Sequence, residues 1–273
     1  MTAEELKLFY EPRSNNHTLR RVLTQLRMMV STERCLHALY MGPAGCGKST
    51  DLTWLIQQIA NDSALSEPLM ILHYDIGDAV GRHDVGFGDL DCHLLFTAPS
   101  ALRLEARYQA EVTGHFVECR ATLDRPVRQD DGDGGEYNTL RRIIYRRIVP
   151  ELVDSSAVDR LIMSSGGLVS QVIDGMFRAT LRALTDDSSR IELDHVEAEL
   201  KEIASGYLNM LRDEHYRELD RIEKEGLSTH VEDPALLHSR CVLEYPDSPS
   251  EFEIHPLVLP LLLRWRVAAG RSQ

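Results

Sequence analysis

The chain has 273 residues, 43% of them apolar, which is enough for one large domain or two small ones with an ordinary globular core. Its 43 acidic and 30 basic residues give a formal charge of -13, which disfavours partners held by bulk attraction to a phosphate backbone. The five cysteines form no C-x-x-C pair and the eleven histidines form no H-E-x-x-H motif, so neither a disulfide framework nor a zinc site is indicated.

Membrane and export signals are not indicated either. The start, MTAEELKLFYEPR, lacks a basic region followed by an apolar core. The most apolar stretch, HPLVLPLLLRW, is short and interrupted by proline. We therefore expect a cytoplasmic protein without a membrane partner.

The predicted elements begin with an amphipathic helix over residues 18–30, where apolar residues recur at helical spacing. The apolar run CLHALYM, which ends at Gly42, predicts a buried strand, and STDLTWLIQQIA predicts a helix after a glycine-rich loop. Two further buried strands are predicted at residues 69–74 and 94–97. This order is typical of an α/β domain with a parallel sheet.

The second half of the sequence has a different pattern. The run RQDDGDGGEYN predicts an exposed loop, and the chain from Tyr137 onward has mainly helical periodicity, including a long charged stretch over residues 193–224. Near the end, SRCVLEY and EFEIH flank the turn PDSPS and predict a two-stranded hairpin. Helices followed by such a hairpin predict a small winged-helix-like module.

The glycine-rich loop carries the strongest motif. From Gly42 to Ser49 the sequence matches G-x-x-x-x-G-K-[ST] at every specified position. Such a loop turns its amide N–H groups toward phosphates, and the helix that begins near Lys48 adds its positive end. We predict that Lys48 contacts the β and γ phosphates and that Ser49 is a ligand of Mg²⁺. The predicted ATP-binding residues are Gly42, Pro43, Ala44, Gly45, Cys46, Gly47, Lys48, Ser49 and Thr50.

Hydrolysis would also require an acidic residue at a strand end to hold the metal ion. Asp75 ends the strand predicted at 69–74, and Asp89 and Asp91 follow a glycine-interrupted run. For each of them, capping a turn is at least as well supported as a metal-binding role.

Together with HLLFTAP, SSGGLVSQVIDGMFRATLRAL and VLEYPDSPSEFEIHPLVLPLL, the loop resembles the AAA+ superfamily and related bacterial P-loop ATPases, including signal-transduction ATPases. The resemblance covers most of the chain, and its specific part is the loop. It implies that Thr97 is the sensor residue beside the γ phosphate. Only eighteen residues separate Asp75 from Leu94, where a family member would place a helix, the acid-bearing strand and another helix. The resemblance therefore implies a sheet that is shortened around the Walker B region.

The resemblance also implies a lid helix after Gly166 and Gly167. Ser170 or Gln171 then stands where a second sensor arginine is expected, and Arg178 lies about two turns further on. Arginines that follow the strand at 94–97 are candidates for a finger that enters a neighbouring subunit, although a surface ion pair is the favoured role for each. These candidates are Arg103, Arg120, Arg125 and Arg128.

The expected fold class is α/β, with a reduced parallel-sheet P-loop NTPase core over residues 1–130, a helical lid over 131–228 and a winged-helix-like module over 229–273. We expect an ATP-binding AAA+-like ATPase whose nucleotide state controls self-association or binding of a protein partner. The catalytic candidates are Lys48, Asp75, Asp89 and Thr97. The alternatives are a nucleotide-binding switch or scaffold that lacks hydrolysis and a P-loop kinase for a small molecule. A nucleic-acid partner is possible but is not favoured by the charge.

Overall fold

The computed structural model of the protein describes residues 5, 8–11, 17–32, 34–65, 92–105, 108, 112, 114, 116–121, 123–126, 135–225, 231–245 and 252–270. The chain divides into two compact units. The first comprises Met1–Tyr10 and Asn15–Thr122, and the second comprises Glu11–Ser14 and Leu123–Gln273. The three-part division at residues 130 and 228 stays a prediction.

A parallel sheet organises the first unit. In chain order its elements are α1 (His17–Ser31), β1 (His37–Gly42), α2 (Lys48–Ala60), a 3-10 turn (Ser63–Leu65), β2 (Leu94–Pro99), a second 3-10 turn (Ser100–Leu104) and β3 (Val117–Arg120). β1 lies between β2 and β3 and is parallel to both, with Tyr40 paired to Thr97 on one side and to Cys119 on the other. The predicted helix at 18–30 and the predicted strand at 94–97 are confirmed.

The core of this unit forms because the strands are buried along most of their length. Leu39, Met41 and Phe96 are buried in the sheet and pack with Tyr108, whose hydroxyl donates to Glu118 Oε1 at 2.6 Å. On α1 the residues at helical spacing, such as Leu19, are buried. The strand predicted at residues 69–74 lies outside the described residues.

β3 was not predicted from the sequence. Val117 and Glu118 are exposed, and Cys119 is the buried residue of its four-residue pattern. Its side chains therefore give neither an apolar run nor a strict alternation, and pairing with β1 is what makes this segment a strand.

The described elements of the second unit are mainly helices. In chain order they are α3 (Glu136–Tyr145), a 3-10 turn (Pro150–Leu152), α4 (Ser155–Ser164), α5 (Val169–Thr185), α6 (Leu193–Met210), α7 (Asp213–Glu225), α8 (Pro234–His238), β4 (Val242–Glu244), β5 (Phe252–Ile254) and α9 (Leu259–Ala268). Helices α4, α5 and α6 pack on one another through fully buried side chains such as Leu161, Val172 and Val196. The predicted hairpin is confirmed, since β4 pairs antiparallel with β5.

One sequence-based expectation for this unit needs correction. The loop predicted from RQDDGDGGEYN is too long at its end, because α3 already begins at Glu136, which is buried. The charged stretch over residues 193–224 is helical as predicted, and it forms two helices. The backbone is extended at Leu211, with ψ of 133°, and Arg212 N–H donates to His215 Nδ1 at 3.0 Å at the start of α7.

A buried histidine links the hairpin end to the helices of the second unit. His255 is fully buried, and its ring lies 5.2 Å from the ring of Tyr207 on α6. Its Nδ1 accepts the N–H of Leu257 at 3.1 Å, so the proton of the neutral ring is on Nε2, which donates to Gln171 Oε1 on α5 at 2.9 Å. Nearby, the Tyr245 hydroxyl donates to the carbonyl of Gly166 at 2.8 Å.

The tight turn before α5 predicts a large effect of the Gly167→Ala substitution. Gly167 has φ of 87°, and a Cβ there would lie 2.6 Å from the carbonyl oxygen of Asp124. We expect the free energy of unfolding to fall by at least about 2 kcal/mol in urea denaturation. The matched control is Gly206→Ala in the middle of α6, where a Cβ meets no atom within 4 Å and the helical preference of alanine should add about 0.5–1 kcal/mol. Equal stability of the two variants would contradict this account.

The buried histidine predicts a specific dependence of stability on pH. Burial, assisted by the positive charge of Arg240, lowers the pKa of His255 from 6.5 to about 3. Between these values the unfolded chain takes up a proton that the folded chain does not, so the free energy of unfolding should fall as the pH falls from 6.5 toward 3. The contribution is at most about 1.4 kcal/mol per pH unit. Urea denaturation of the wild type and of His255→Gln between pH 4 and 7 should show a shallower slope for the variant.

Candidate functional site

The glycine-rich loop leaves the sheet at the carboxyl end of its central described strand. β1 ends at Gly42, which is paired in register with Pro99 of β2, so both strands end at the same edge of the sheet. α2 begins six residues later at Lys48. The loop therefore lies where ligands bind in open parallel α/β sheets, beyond the carboxyl ends of the strands.

Glycines shape the loop in two different ways. Gly45 and Gly47 have φ of 82° and 101°, in the left-handed region that L side chains rarely adopt. Gly42 is required by packing instead, because a Cβ there would lie 2.7 Å from the Cβ of Ala121 and 3.0 Å from Cys46 Sγ. A Cβ at Gly47 would meet no atom within 4 Å, so this glycine faces open space. Cys46 is 1% exposed, which indicates a packing role for its thiol.

Lys48 is held close to the loop. Its Nζ donates to the carbonyl of Gly42 at 2.8 Å and to that of Pro43 at 2.9 Å. Lys48 is also the first residue of α2, and the free amides and the dipole of a helix start favour an anion. The next residue, Ser49, is exposed, and Thr50 is half-buried. The lysine, the helix start and the serine required of a phosphate loop are thus brought together.

A carboxylate beneath the loop was missed by the sequence reasoning. Asp51, in the first turn of α2, is 9% exposed and accepts hydrogen bonds from Tyr40 on β1 at 2.8 Å and from Tyr10 at 3.2 Å. The ring of Tyr10 also stacks on Trp54 of α2, with centroids 6.5 Å apart. These contacts fasten α2 to β1 and to the segment that includes Tyr10. The acidic residue directly after the motif was the signal available in the sequence.

The other predicted catalytic residues fall into two groups. Thr97 is buried on β2, the strand beside β1, and is the register partner of Tyr40. It therefore lies on a strand adjacent to the loop strand, as the resemblance implies for a sensor. Asp75 and Asp89 lie outside the described residues, as does the alternative Asp91.

Two of the four arginines that were candidates for a finger form ion pairs. Arg125 pairs with Glu253, and Arg103 lies 3.7 Å from Glu118. The favoured surface role is confirmed for these two. Arg120 is the last residue of β3, and Arg128 lies outside the described residues.

The lid comparison can be placed within the second unit. Gln171 on α5 is buried and bonded to His255, so it is not presented as a surface residue. Its neighbour Ser170 is half-buried and carries no charge. Arg178 is exposed two turns along the same helix.

The described residues contain neither a cluster of metal-binding side chains nor a helix that could span a membrane. Across the described ranges, no three His, Cys, Asp or Glu side chains are grouped so that they could hold a metal ion. None of the helices described is both long and apolar enough to cross a bilayer.

Comparison with known proteins identifies the fold. No protein-family model matches the chain, and no curated protein matches it. Among solved structures, the Aeropyrum pernix ORC1 protein in complex with DNA aligns with a TM-score of 0.53 and 12% identity, over 97% of this chain and 95% of that chain. The Aeropyrum pernix ORC2 protein in its ADPNP-ADP complexes aligns with a TM-score of 0.49 and 11% identity, over 97% and 98%. The Thermotoga maritima RuvB Holliday junction branch migration motor aligns with a TM-score of 0.47 and 14% identity, over 95% of each chain.

The chain has a P-loop NTPase fold, and this assignment rests on the ORC1 alignment and on the parallel sheet. The parallel sheet with its flanking helices corresponds to the P-loop NTPase core, and a helical region follows it.

The hydrogen bond from Tyr40 to the buried carboxylate of Asp51 predicts that Tyr40→Phe destabilises the protein. This change keeps the ring and removes one hydroxyl donor to Asp51, so the free energy of unfolding should fall by about 1–2 kcal/mol in urea denaturation. Tyr10→Phe is the matched control, and its effect should be smaller because the 3.2 Å hydrogen bond is only partly buried. A larger loss for Tyr10→Phe would show that Tyr10, and not Tyr40 of β1, is the main anchor of Asp51, which would contradict this account.

Proposed function

We propose that the protein binds ATP with Mg²⁺ at the loop over residues 42–50, and that its nucleotide state controls self-association or the binding of a protein partner. The observation that carries the proposal is the loop itself, in which left-handed Gly45 and Gly47 precede Lys48 at the start of α2. This backbone directs amide N–H groups to one point in front of a helix start. An ATP triphosphate is the ligand whose charge fits that point.

The residues of the loop fit this ligand. The open space at Gly47 admits a phosphate close to the backbone, which a side chain would obstruct. Lys48 Nζ is bonded to two neutral carbonyls, and an exchange of these bonds for phosphate oxygens would bring a charge-assisted interaction. If the protein hydrolyses ATP, the bond that is cleaved would be a phosphoanhydride bond of the bound nucleotide.

Ser49 is the proposed protein ligand of Mg²⁺. Ser49 is an exposed residue next to Lys48, and a serine at this position of the motif would hold Mg²⁺ through its hydroxyl. Thr97 is proposed to sense the γ phosphate from β2, and Asp75 or Asp89 to complete the metal site. Asp51 is not proposed as a metal ligand, because its carboxylate is buried and bonded to tyrosine hydroxyls.

The association role is supported by the resemblance to the AAA+ superfamily alone. The ORC1 protein was solved in complex with DNA, so a nucleic-acid partner is a further proposal for this chain. The formal charge of -13 makes a protein partner or a second copy the preferred proposal.

A hydrolysis-deficient switch or scaffold is the second candidate function. It is favoured by the start of α5, where Ser170 is uncharged and Gln171 is engaged with His255. No positive charge is therefore placed at the position where the family resemblance puts a lid arginine. Binding of ATP would then change the association state without release of phosphate.

The proposed ATP site predicts that Lys48→Ala weakens binding of Mg²⁺-ATP by about 10–100-fold in isothermal titration calorimetry, because a charged hydrogen-bond donor to phosphate is lost. Lys201→Ala is the matched control, since Lys201 is an exposed lysine on α6 of the second unit, and the affinity of this variant should equal that of the wild type. If ATP binds all three proteins equally, the loop is not the nucleotide site.

A measurement of ATP hydrolysis distinguishes the two candidate functions. Release of phosphate that requires Mg²⁺, disappears in Lys48→Ala and rises faster than linearly with protein concentration would identify an assembling ATPase. Binding without turnover would identify the switch, and Asp75→Asn and Asp89→Asn would then leave phosphate release at background.

A further inference from the structure

A second candidate binding site lies within the second unit and includes no residue of the phosphate loop. A partly open cavity of about 540 Å³ is formed by α5, α6 and the residues that follow α8. Its volume lies in the range of small-molecule sites. The lining residues that matter for its chemistry are Gln171, Arg178, Ile203, Gly206, Met210 and Arg240.

The first polar feature of this cavity is an unsatisfied amide. Gln171 is 7% exposed, and its amide nitrogen has no hydrogen-bond partner. The orientation of the amide is fixed, because Nε2 of His255 carries the ring proton and therefore requires the oxygen of Gln171 as acceptor. The group of Gln171 that has no partner is consequently an N–H donor, and buried donors are normally paired.

The second feature is a pair of arginines. Across the described part of the chain, neither Arg178 nor Arg240 forms an ion pair, and both line the cavity. Asp174, one turn before Arg178, and Glu202 also line it, and Glu202 shares Arg182 with Glu199. The formal charges of the lining residues balance, and the cavity offers an anion two guanidinium groups that no described carboxylate holds at ion-pair distance.

The backbone at Arg240 is strained. Its φ is 63°, in the left-handed region that is unfavourable for a residue with a long side chain. Strain of this kind persists where the surrounding structure holds it, and it occurs preferentially at functional sites. Here it places a half-buried arginine at the cavity.

One glycine in the wall of the cavity, Gly206, is not required by close packing. Gly206 lies within α6, where alanine would favour the helix, and a Cβ there would meet no atom within 4 Å. Gly175, on the facing helix α5, is different, because a Cβ there would lie 2.7 Å from Leu161 Cδ1. The missing side chain at Gly206 keeps the cavity open.

We propose that this cavity binds a small organic anion, with a carboxylate or phosphate group and an apolar body. Arg178 and Arg240 neutralise the anionic group, and the amide nitrogen of Gln171 donates a hydrogen bond to it. Ile203 and Met210 contact the apolar body. The site uses no residue of the phosphate loop, so it does not depend on the proposed ATP binding.

Benzoate and phenyl phosphate, with neutral benzyl alcohol as the comparison, test the proposal. The full-length Lys48→Ala protein is titrated with each probe and followed by amide chemical shifts in NMR and by calorimetry, so that binding at the phosphate loop does not contribute. We expect saturable binding of at least one anion, with shifts concentrated on α5, α6 and residues 238–240. Benzyl alcohol should bind at least tenfold more weakly.

Substitutions of residues that line the cavity test whether the anion binds there. Arg178→Gln and Arg240→Asn should each weaken anion binding at least tenfold, and asparagine suits the left-handed backbone at position 240. Gly206→Leu should abolish binding by filling the cavity while the melting temperature does not fall. Arg264→Gln, at an exposed arginine of α9 outside the cavity, should bind as the parent protein does. The proposal is overturned if neither anion binds, if benzyl alcohol binds equally well, or if the two cavity arginine variants bind as tightly as the control.

Discussion

The parallel pairing of β1 with a strand on each side is the constraint on which the candidate nucleotide site depends. Because Tyr40 is fixed in register with Thr97 and Gly42 with Pro99, the loop can leave the sheet only at the edge where the strands end. A slip of one residue in β1 would reverse the faces of its side chains and remove Tyr40 from Asp51.

Two opposite charges near the loop, those of Asp51 and Lys48, bind different partners and do not pair with each other. Asp51 and Lys48 lie within one turn of α2, yet the carboxylate is bonded to tyrosine hydroxyls below the loop and the ammonium group to carbonyls within it. The carboxylate therefore does not neutralise the lysine that is proposed to meet the phosphates. The same hydroxyls hold the first turn of the helix in position, so that binding would require little rearrangement of the backbone.

In the second unit, a neutral histidine fixes the orientation of a residue at the start of α5. Since His255 is buried with its proton on Nε2, Gln171 must turn its oxygen toward the ring. Gln171 is therefore buried and hydrogen-bonded at a position where the family resemblance expects a sensor arginine, and its amide nitrogen is left without a partner. The same hydrogen bond thus bears on both the hydrolysis-deficient alternative and the second candidate site.

Much of this could be predicted from the sequence, because it depends on neighbours along the chain. The spacing of Gly42, Gly47 and Lys48, the helix that follows them and the hairpin near the end are local patterns with their own periodicity or turn chemistry. Only the tertiary structure could decide the contacts made between distant residues. β3 is a strand because it pairs with β1, Asp51 is bound by a tyrosine 41 residues earlier, and Gln171 is oriented by a histidine 84 residues later. Such contacts depend on which groups share a buried space, and a pattern read along one chain does not specify that.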